Sequence, residues 1–390
     1  MLAPERRGRR KRGCGLSLAQ VACNRYRLRT GSREGSIAAV THKEEAAMGH
    51  KVTLMPSGHS FEVPEGVSIL TAGLDAGYLM PYSCRAATCR ACRGRVVQGS
   101  VDFGGAIDSY LNEEERAAGY ALLCAARPLA DCVVEVAELS FVGAKPRMVP
   151  CRVKSIERPA PDVAVVEVRL PMNENFMFAA GQYIDILLKD KRRRSYSIAT
   201  APSAEGVTTL ELHIRHMPGG VFTDHVFGAL KVGEILRFEG PLGTFYLRED
   251  SQLPIVLLAS GTGFAPIKAI VEHARARGLR RPMTLYWGAR VRADLYMHEM
   301  AERWAAEIPD FRYIPVLSEA APTDTWQGRT GFVHRAVMDD LPDLSGHQVY
   351  ACGAPVMVDA ARRDFTTQCG LPEAEFLADS FITEADRAHQ

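Results

Sequence analysis

The chain has 390 residues, 47% apolar and 24% charged, a balance that suggests roughly two or three ordinary soluble domains. Its net charge of +1 excludes a general polyanion partner, so no nucleic-acid partner is expected. No apolar run approaches the roughly 20 residues needed to cross a bilayer, and no membrane partner is expected either.

That small net charge hides an asymmetry. Residues 1–47 hold eleven Lys or Arg against four Glu, a balance of +7, so the remainder carries −6. The arm opens with Arg6-Arg7-Gly8-Arg9-Arg10-Lys11-Arg12 and shows no sustained helix or strand period. Such a stretch offers too little apolar surface to offset its chain entropy, and residues 1–47 are expected to be a disordered basic arm. Met48 directly precedes the first regular pattern and is a candidate for the true start. Ten cysteines, several in metal-ligand spacing and the rest scattered, point to a reducing compartment, with the cytoplasm as the default.

From Lys51 the pattern becomes regular. Strands at 51–55 and 60–63 flank Pro56-Ser57-Gly58, and 68–76 reads as a short helix whose Ile69, Leu70 and Leu74 would cover them. Residues 82–92 then read Tyr-Ser-Cys-Arg-Ala-Ala-Thr-Cys-Arg-Ala-Cys, and Cys124 follows far downstream. The spacing is Cys-x4-Cys-x2-Cys plus a distant fourth cysteine. A zinc site or unrelated buried thiols are the plainer alternatives, and zinc fits this spacing poorly. Strands at 95–97 and 132–136 complete the segment, with Cys132 read as a core thiol.

This stretch resembles the plant-type ferredoxin domain, a beta-grasp fold. The resemblance implies a 2Fe-2S cluster held by Cys84, Cys89, Cys92 and Cys124. The family usually has glycine where this chain has Ala87 and Arg90, so strain in the loop and a shifted potential are expected. An acidic partner is expected to dock on a rim of Arg85, Arg90 and Arg93, with a merely solvated basic loop as the alternative.

A break at Val142 to Pro146 separates residues 48–142 from a strand-rich region, 147–248. Strands at 149–156, 163–170, 183–188, 210–214 and 235–238 suggest an antiparallel barrel. Within it, Arg194-Ser195-Tyr196-Ser197 places a guanidinium, an aromatic plate and a hydroxyl in extended chain, with Arg194 and Tyr196 on one face. Further on, Gly219 and Gly220 precede a helix read at 224–230, where unpaired N–H groups suit a pyrophosphate and Thr223 is a candidate cap.

The Arg-x-Tyr-Ser set resembles the flavin motif of the ferredoxin reductase superfamily. That resemblance implies FAD, with Arg194 gripping phosphate, Tyr196 stacking on the isoalloxazine and Ser197 bonding near flavin N5. His213 and Ile214 join the implied cofactor contacts, within a Leu212-His213-Ile214-Arg215 phrase shared with the glucoseen reductase type.

From residue 250 to 385 short apolar strands alternate with helical stretches at 265–277, 294–307 and 355–367. This rhythm argues for a doubly wound parallel sheet. The first strand ends in Gly261-Thr262-Gly263-Phe264-Ala265-Pro266, a glycine-rich turn that offers N–H groups to a diphosphate. Arg290 follows the second strand, where it would meet the ribose or phosphate of a dinucleotide, and Arg290 with Arg292 would also suit a 2'-phosphate. Cys352-Gly353-Ala354-Pro355-Val356-Met357 ends another and resembles the superfamily's turn beside the nicotinamide. Phe381 is a candidate flavin-stacking ring, with core packing as the alternative.

The fold class expected is therefore multidomain α+β and α/β: a beta-grasp ferredoxin domain, a flavin barrel and a doubly wound nicotinamide domain. Their order resembles the reductases of phenol, methane and ring-hydroxylating oxygenases and of CDP-6-deoxy-glucoseen intermediates. The resemblance implies electron transfer from NADH, or alternatively NADPH, through FAD and a 2Fe-2S cluster to a partner oxygenase or dehydratase. Tyr196, Ser197 and Cys352 are the expected catalytic contacts, acting by stacking and orientation. The alternatives are a flavin or ferric reductase with a degenerate cluster, motivated by Ala87 and Arg90, and a non-catalytic redox-sensing module.

Overall fold

The computed structural model describes residues 49–382, apart from 107, 109, 141–143 and 321–324. The basic arm therefore lies outside the described residues. No helix among those described is long and apolar enough to cross a membrane.

Three large sheets follow one another along the chain, besides a two-stranded one that pairs Val101–Asp102 with Arg127–Pro128. The first has five strands in the order Ser60–Val63, His50–Met55, Cys132–Glu135, Arg93–Gln98 and Tyr120–Leu122. It is mixed, because His50–Met55 runs parallel to Cys132–Glu135 while the other pairs are antiparallel. Helix Ile69–Asp75 is capped by Ser68, whose side chain accepts from the Thr71 N–H, and it buries Ile69, Leu70 and Ala72 against this sheet.

The second sheet has six strands in the order Arg193–Ser197, Tyr183–Leu187, Ile235–Leu242, Arg147–Ala160, Val163–Arg169 and Thr209–Arg215. An antiparallel bridge between Ile198 and Leu212 joins its first and last edges, so the sheet closes as a barrel. Inward residues such as Val166, Ile184, Ile198, Leu212 and Phe238 fill it, as strict alternation requires.

The third sheet is parallel throughout: Arg329–Thr330, Phe311–Leu317, Met283–Ala289, Ile255–Ser260, Gln348–Gly353 and Phe376–Ser380. Phe264, on helix Phe264–Arg277, lies flat on Trp287 with ring centroids 3.9 Å apart and anchors one face. Helices Val333–Asp340 and Pro355–Gln368 bury Val337, Ala361 and Phe365 on the other. From Ile255–Ser260 the sheet first grows to one side through Met283–Ala289, Phe311–Leu317 and Arg329–Thr330, and the chain then crosses to add Gln348–Gly353 on the other side, so the carboxyl end of Ile255–Ser260 is a topological switch point, where such sheets bind ligands.

Two helix starts differ from expectation, and the parallel-sheet region holds one further helix. The helix read at 224–230 is Val221–Gly228, capped by Gly220, and Thr223 lies inside it rather than at its start. The helix read from 294 begins at His298, because a separate turn at Arg292–Asp294 and buried Leu295 and Tyr296 intervene. Val333–Asp340 adds a helix that the strand-helix rhythm left unnamed.

Candidate redox site

The cysteine loop folds back on its own sulfurs. Arg85, Ala87 and Arg90 all take left-handed backbone angles, φ 52°, 55° and 60°, a region that disfavours every residue with a β-carbon. These reversals aim N–H groups inward. The Ala86 and Cys89 amides donate to Cys84 Sγ at 3.4 and 3.3 Å, and the Ala87 amide donates to Cys124 Sγ at 3.3 Å. Thr88 Oγ1 adds a donor to Cys84 Sγ at 3.3 Å. Cys124 is brought in by the Leu123 amide, bonded to the Cys92 carbonyl at 3.0 Å, and by the Leu70 amide, which bonds Leu123 O at 2.9 Å.

The thiols pair two and two, Cys84 with Cys89 and Cys92 with Cys124. The hydrogen bond from Cys89 holds the Cys84 thiol below the usual thiol range, outweighing its burial, with Thr88 and the loop amides assisting. Cys89 and Cys92 are pushed well above the usual thiol range, each by its bond to its sulfur partner and then by burial. Among the described residues no three His, Cys, Asp or Glu side chains converge as one metal ion's ligand set. Two pairs fit a two-iron centre, with two thiolates for each iron, better than a single tetrahedral zinc.

The flavin-motif strand Arg193–Ser197 pairs with Tyr183–Leu187, Ile184 opposite Tyr196. Alternation leaves Arg194 and Tyr196 half-buried on the face of a cleft of about 880 Å³, into which Ser195 and Ser197 also reach. Burial pushes the Tyr196 phenol upward, so it stays a neutral flat ring. Ser197 Oγ is buried with no hydrogen-bond partner, as are Ser380 Oγ and Arg215 Nη2 in the same cleft. Orphaned polar atoms are rare unless a ligand completes them, and here they fit the edge of a flavin ring.

Gly219 and Gly220 lead into Val221–Gly228, and a β-carbon on Gly220 would sit 2.6 Å from Thr223 Oγ1. Thr223 Oγ1 donates back to Met217 O at 2.8 Å and so fastens the turn from within the helix. No side chain caps this N-terminus, although Asp224 accepts from the Gly219 amide at 3.1 Å.

The Gly261–Gly263 turn is locked by backbone crowding. A β-carbon on Gly263 would lie 2.1 Å from Cys352 O, and one on Gly353, whose φ is 138°, would lie 2.2 Å from Ser260 Oγ. Ser260 Oγ accepts from the Ala354 amide at 3.0 Å, which ties the two strand ends together. Gly261, Thr262, Arg290, Met357 and Phe381 all line the same cleft.

Several expected contacts are placed elsewhere. Cys352 is fully buried beneath Gly353 and does not line the cleft, and burial pushes its thiol well up. Gly263, Gly353 and Pro355 shape the turn from behind. Ile214 fills the barrel core. His213 reaches the cleft edge, but both its ring nitrogens are engaged, with Tyr296 Oη at 2.8 Å and Glu211 Oε1 at 2.7 Å. Burial alone would raise Glu211, yet bonds from His213 and Lys268 hold it at about 2. Arg292 does not line the cleft.

The arginine rim is also corrected. Arg90 pairs with Glu115 and Glu373, and Arg93 donates to Glu373 at 2.6 Å while covering the Tyr120 ring. Both clasp the cysteine loop to the parallel sheet, leaving Arg85 half-exposed near Asp185.

The residues that join the three modules carry no local sequence motif. Ser83 Oγ donates to Asp379 Oδ1 at 2.5 Å, Tyr183 Oη donates to Ser83 O at 3.1 Å, and Thr244 exchanges bonds of 2.8 Å with Tyr82. Burial pushes Asp379 up to about 6, with the Ser83 bond opposing. Ser83 and Cys84 line the same cleft as Tyr196, Ser197 and Asp379, so the cysteine loop borders the face formed by strand Arg193–Ser197.

Comparison with known proteins agrees with this arrangement. Residues 52–129 match the 2Fe-2S iron-sulfur cluster binding domain, 150–246 the oxidoreductase FAD-binding domain and 257–363 the oxidoreductase NAD-binding domain. The CDP-6-deoxy-L-threo-D-glycero-4-hexulose-3-dehydrase reductase of Yersinia pseudotuberculosis is 42% identical over 338 residues, 86% of this chain and 99% of that one. The chain belongs to this family of iron-sulfur flavoprotein reductases. A phenol 2-monooxygenase reductase component, DmpP, from a Pseudomonas species is 35% identical over 87% of this chain and 97% of its own. The crystal structure of the Amycolatopsis reductase GcoB matches with a TM-score of 0.68 and 36% identity, covering 85% of this chain and 98% of that one. The reductase thus has the expected fold class, an oxidoreductase built to carry electrons from NAD(P)H through FAD to a 2Fe-2S cluster.

Proposed function

We propose that this one cleft is the relay itself, with Cys84, Cys89, Cys92 and Cys124 as the cluster ligands, and that the reductase serves a separate oxygenase or dehydratase. The observation that carries this reading is that Cys84 borders the same cleft as Tyr196, Ser197 and the Gly261-Thr262 turn. When bound, nicotinamide supplies two electrons as hydride, FAD accepts two and yields them singly, and the cluster carries one at a time.

The chain's own groups then bind and orient. Arg194 and the uncapped helix N-terminus after Gly220 hold a diphosphate. Tyr196 supplies a flat face, and Ser197 offers its unpartnered hydroxyl to the flavin edge near N5. The Gly261-Thr262 turn and Arg290 hold the dinucleotide, while Cys352, Gly353 and Pro355 fix that turn from below. Met357 and Phe381 supply the apolar wall. No acid-base pair is required, because hydride transfer to N5 moves no separate proton.

NADH is the expected donor. Arg290 lies 3.4 Å from Asp294, a buried carboxylate at the cleft that would oppose an additional phosphate on the ribose. A kcat/KM higher for NADPH than for NADH contradicts this. The protein is expected in the cytoplasm, a reducing compartment in which Cys132, Cys151, Cys352 and Cys369, outside the cluster loop, need no disulfide partner.

The relatives named after a dehydrase and a phenol monooxygenase indicate the kind of acceptor. The degenerate-cluster alternative loses its motive, because Ala87 and Arg90 adopt the backbone angles that glycine would supply. C124S tests the relay: it should keep NADH-ferricyanide activity at the flavin and lose cytochrome c reduction through the cluster. Equal loss of both, with FAD retained, would contradict the assignment.

A further inference from the structure

Arg362 is a buried cation that leaves its own sheet to touch the metal loop. It sits on helix Pro355–Gln368 and is 7% exposed. Its Nη2 donates to the backbone carbonyl of Cys89, its guanidinium lies 5.1 Å over the Phe376 ring, and Nη1 is buried with no hydrogen-bond partner. The ion pairs nearby involve other residues: Arg90 and Arg93 with Glu115 and Glu373, and Arg335 and Arg363 with Asp364. A guanidinium stays charged at any working pH, and a buried cation with no direct ion pair of its own is costly.

We propose that Arg362 is the counter-charge of the iron-sulfur centre and a positioning residue that raises its reduction potential. The inference rests on Cys89 being a ligand. Two ferric irons, two sulfides and four thiolates carry a double negative charge, and uptake of one electron makes it triple, with no bond broken and no proton moved. A fixed cation against a ligand's own carbonyl therefore favours the reduced state more than the oxidised one, and poor solvent access keeps its field from being screened. Two acids face the same guanidinium: Asp359, half-buried one turn earlier on the helix, and Glu373, already paired with Arg93. Asp359 should partly offset the effect.

The test is an EPR-monitored redox titration of the full-length holoprotein. R362M should shift the cluster's reduction equilibrium about tenfold toward the oxidised form, ~59 mV lower for a one-electron couple. R362K, which keeps the charge, should recover most of this, and the flavin couple should not move, since Arg362 does not line the cleft. D359N should shift the midpoint upward. R362M with wild-type iron and sulfide and an unmoved midpoint overturns the proposal, and so does R362K behaving like R362M. Where R362M holds no cluster, D359N decides, and an unchanged or lowered midpoint there overturns it as well. Wild-type protein lacking iron and acid-labile sulfide refutes the ligand assignment itself, a separate failure.

Discussion

Ala87 holds a left-handed φ of 55° at a position where glycine would carry no β-carbon penalty. A87G should relieve about 1 kcal/mol of backbone strain, read as a higher midpoint for thermal cluster loss. Ser197 depends on a ligand to complete its hydroxyl. S197A should slow flavin reduction on the order of 100-fold with little change in dinucleotide affinity, by single-turnover absorbance at saturating NADH. Asp379 adds a pH dependence. Its folded value is raised to about 6 from 3.8, so the folded state bears a cost above pH 6 that is relieved as pH falls from about 6 towards 3.8. D379N should therefore melt higher than wild type at pH 8, with the difference shrinking below pH 6. The motif residues Cys84, Arg194, Tyr196 and Gly261 were legible because each acts within a few positions of its neighbours. Ser83 and Asp379 were not, since they meet across 296 residues and nothing local marks either. Arg90 and Arg93 were misread as a docking rim for the same reason, their acid Glu373 being about 280 residues away.

At the scale of elements, the strands were the most readable feature. Alternation and branched side chains marked the barrel strands, and apolar runs marked the parallel ones, to within a few residues. Helix starts were harder. Thr223 looked like a cap, but the chain turns earlier, at Gly220, because only glycine fits between Met217 O and Thr223 Oγ1. The strand-to-helix turn at Gly261–Gly263 depends on contact with another strand end. G263A places a β-carbon against the Cys352 carbonyl, a backbone atom that cannot swing away. It should cost about 1–3 kcal/mol locally and weaken dinucleotide binding while the flavin and cluster spectra persist, measurable by titration with NAD. Cys352 looked like a contact because it sits beside that turn. It is instead buried behind it.

For the whole molecule, the three modules and their order were legible, because each carries its own local motif. Their docking was not, being set by pairs such as Ser83 with Asp379, Tyr82 with Thr244 and Arg362 with Cys89 that join distant segments. These contacts put the cysteine loop on the rim of the cleft that the barrel and parallel sheet share, and the proposed relay therefore predicts that transfer between flavin and cluster is an event within one polypeptide. Rapid anaerobic mixing with one equivalent of NADH, followed by absorbance and freeze-quench EPR, tests this most directly. Flavin bleaching should be followed by a reduced-cluster signal whose rate is independent of protein concentration. A cluster signal that fails to form, or forms at a rate proportional to protein concentration, would contradict it.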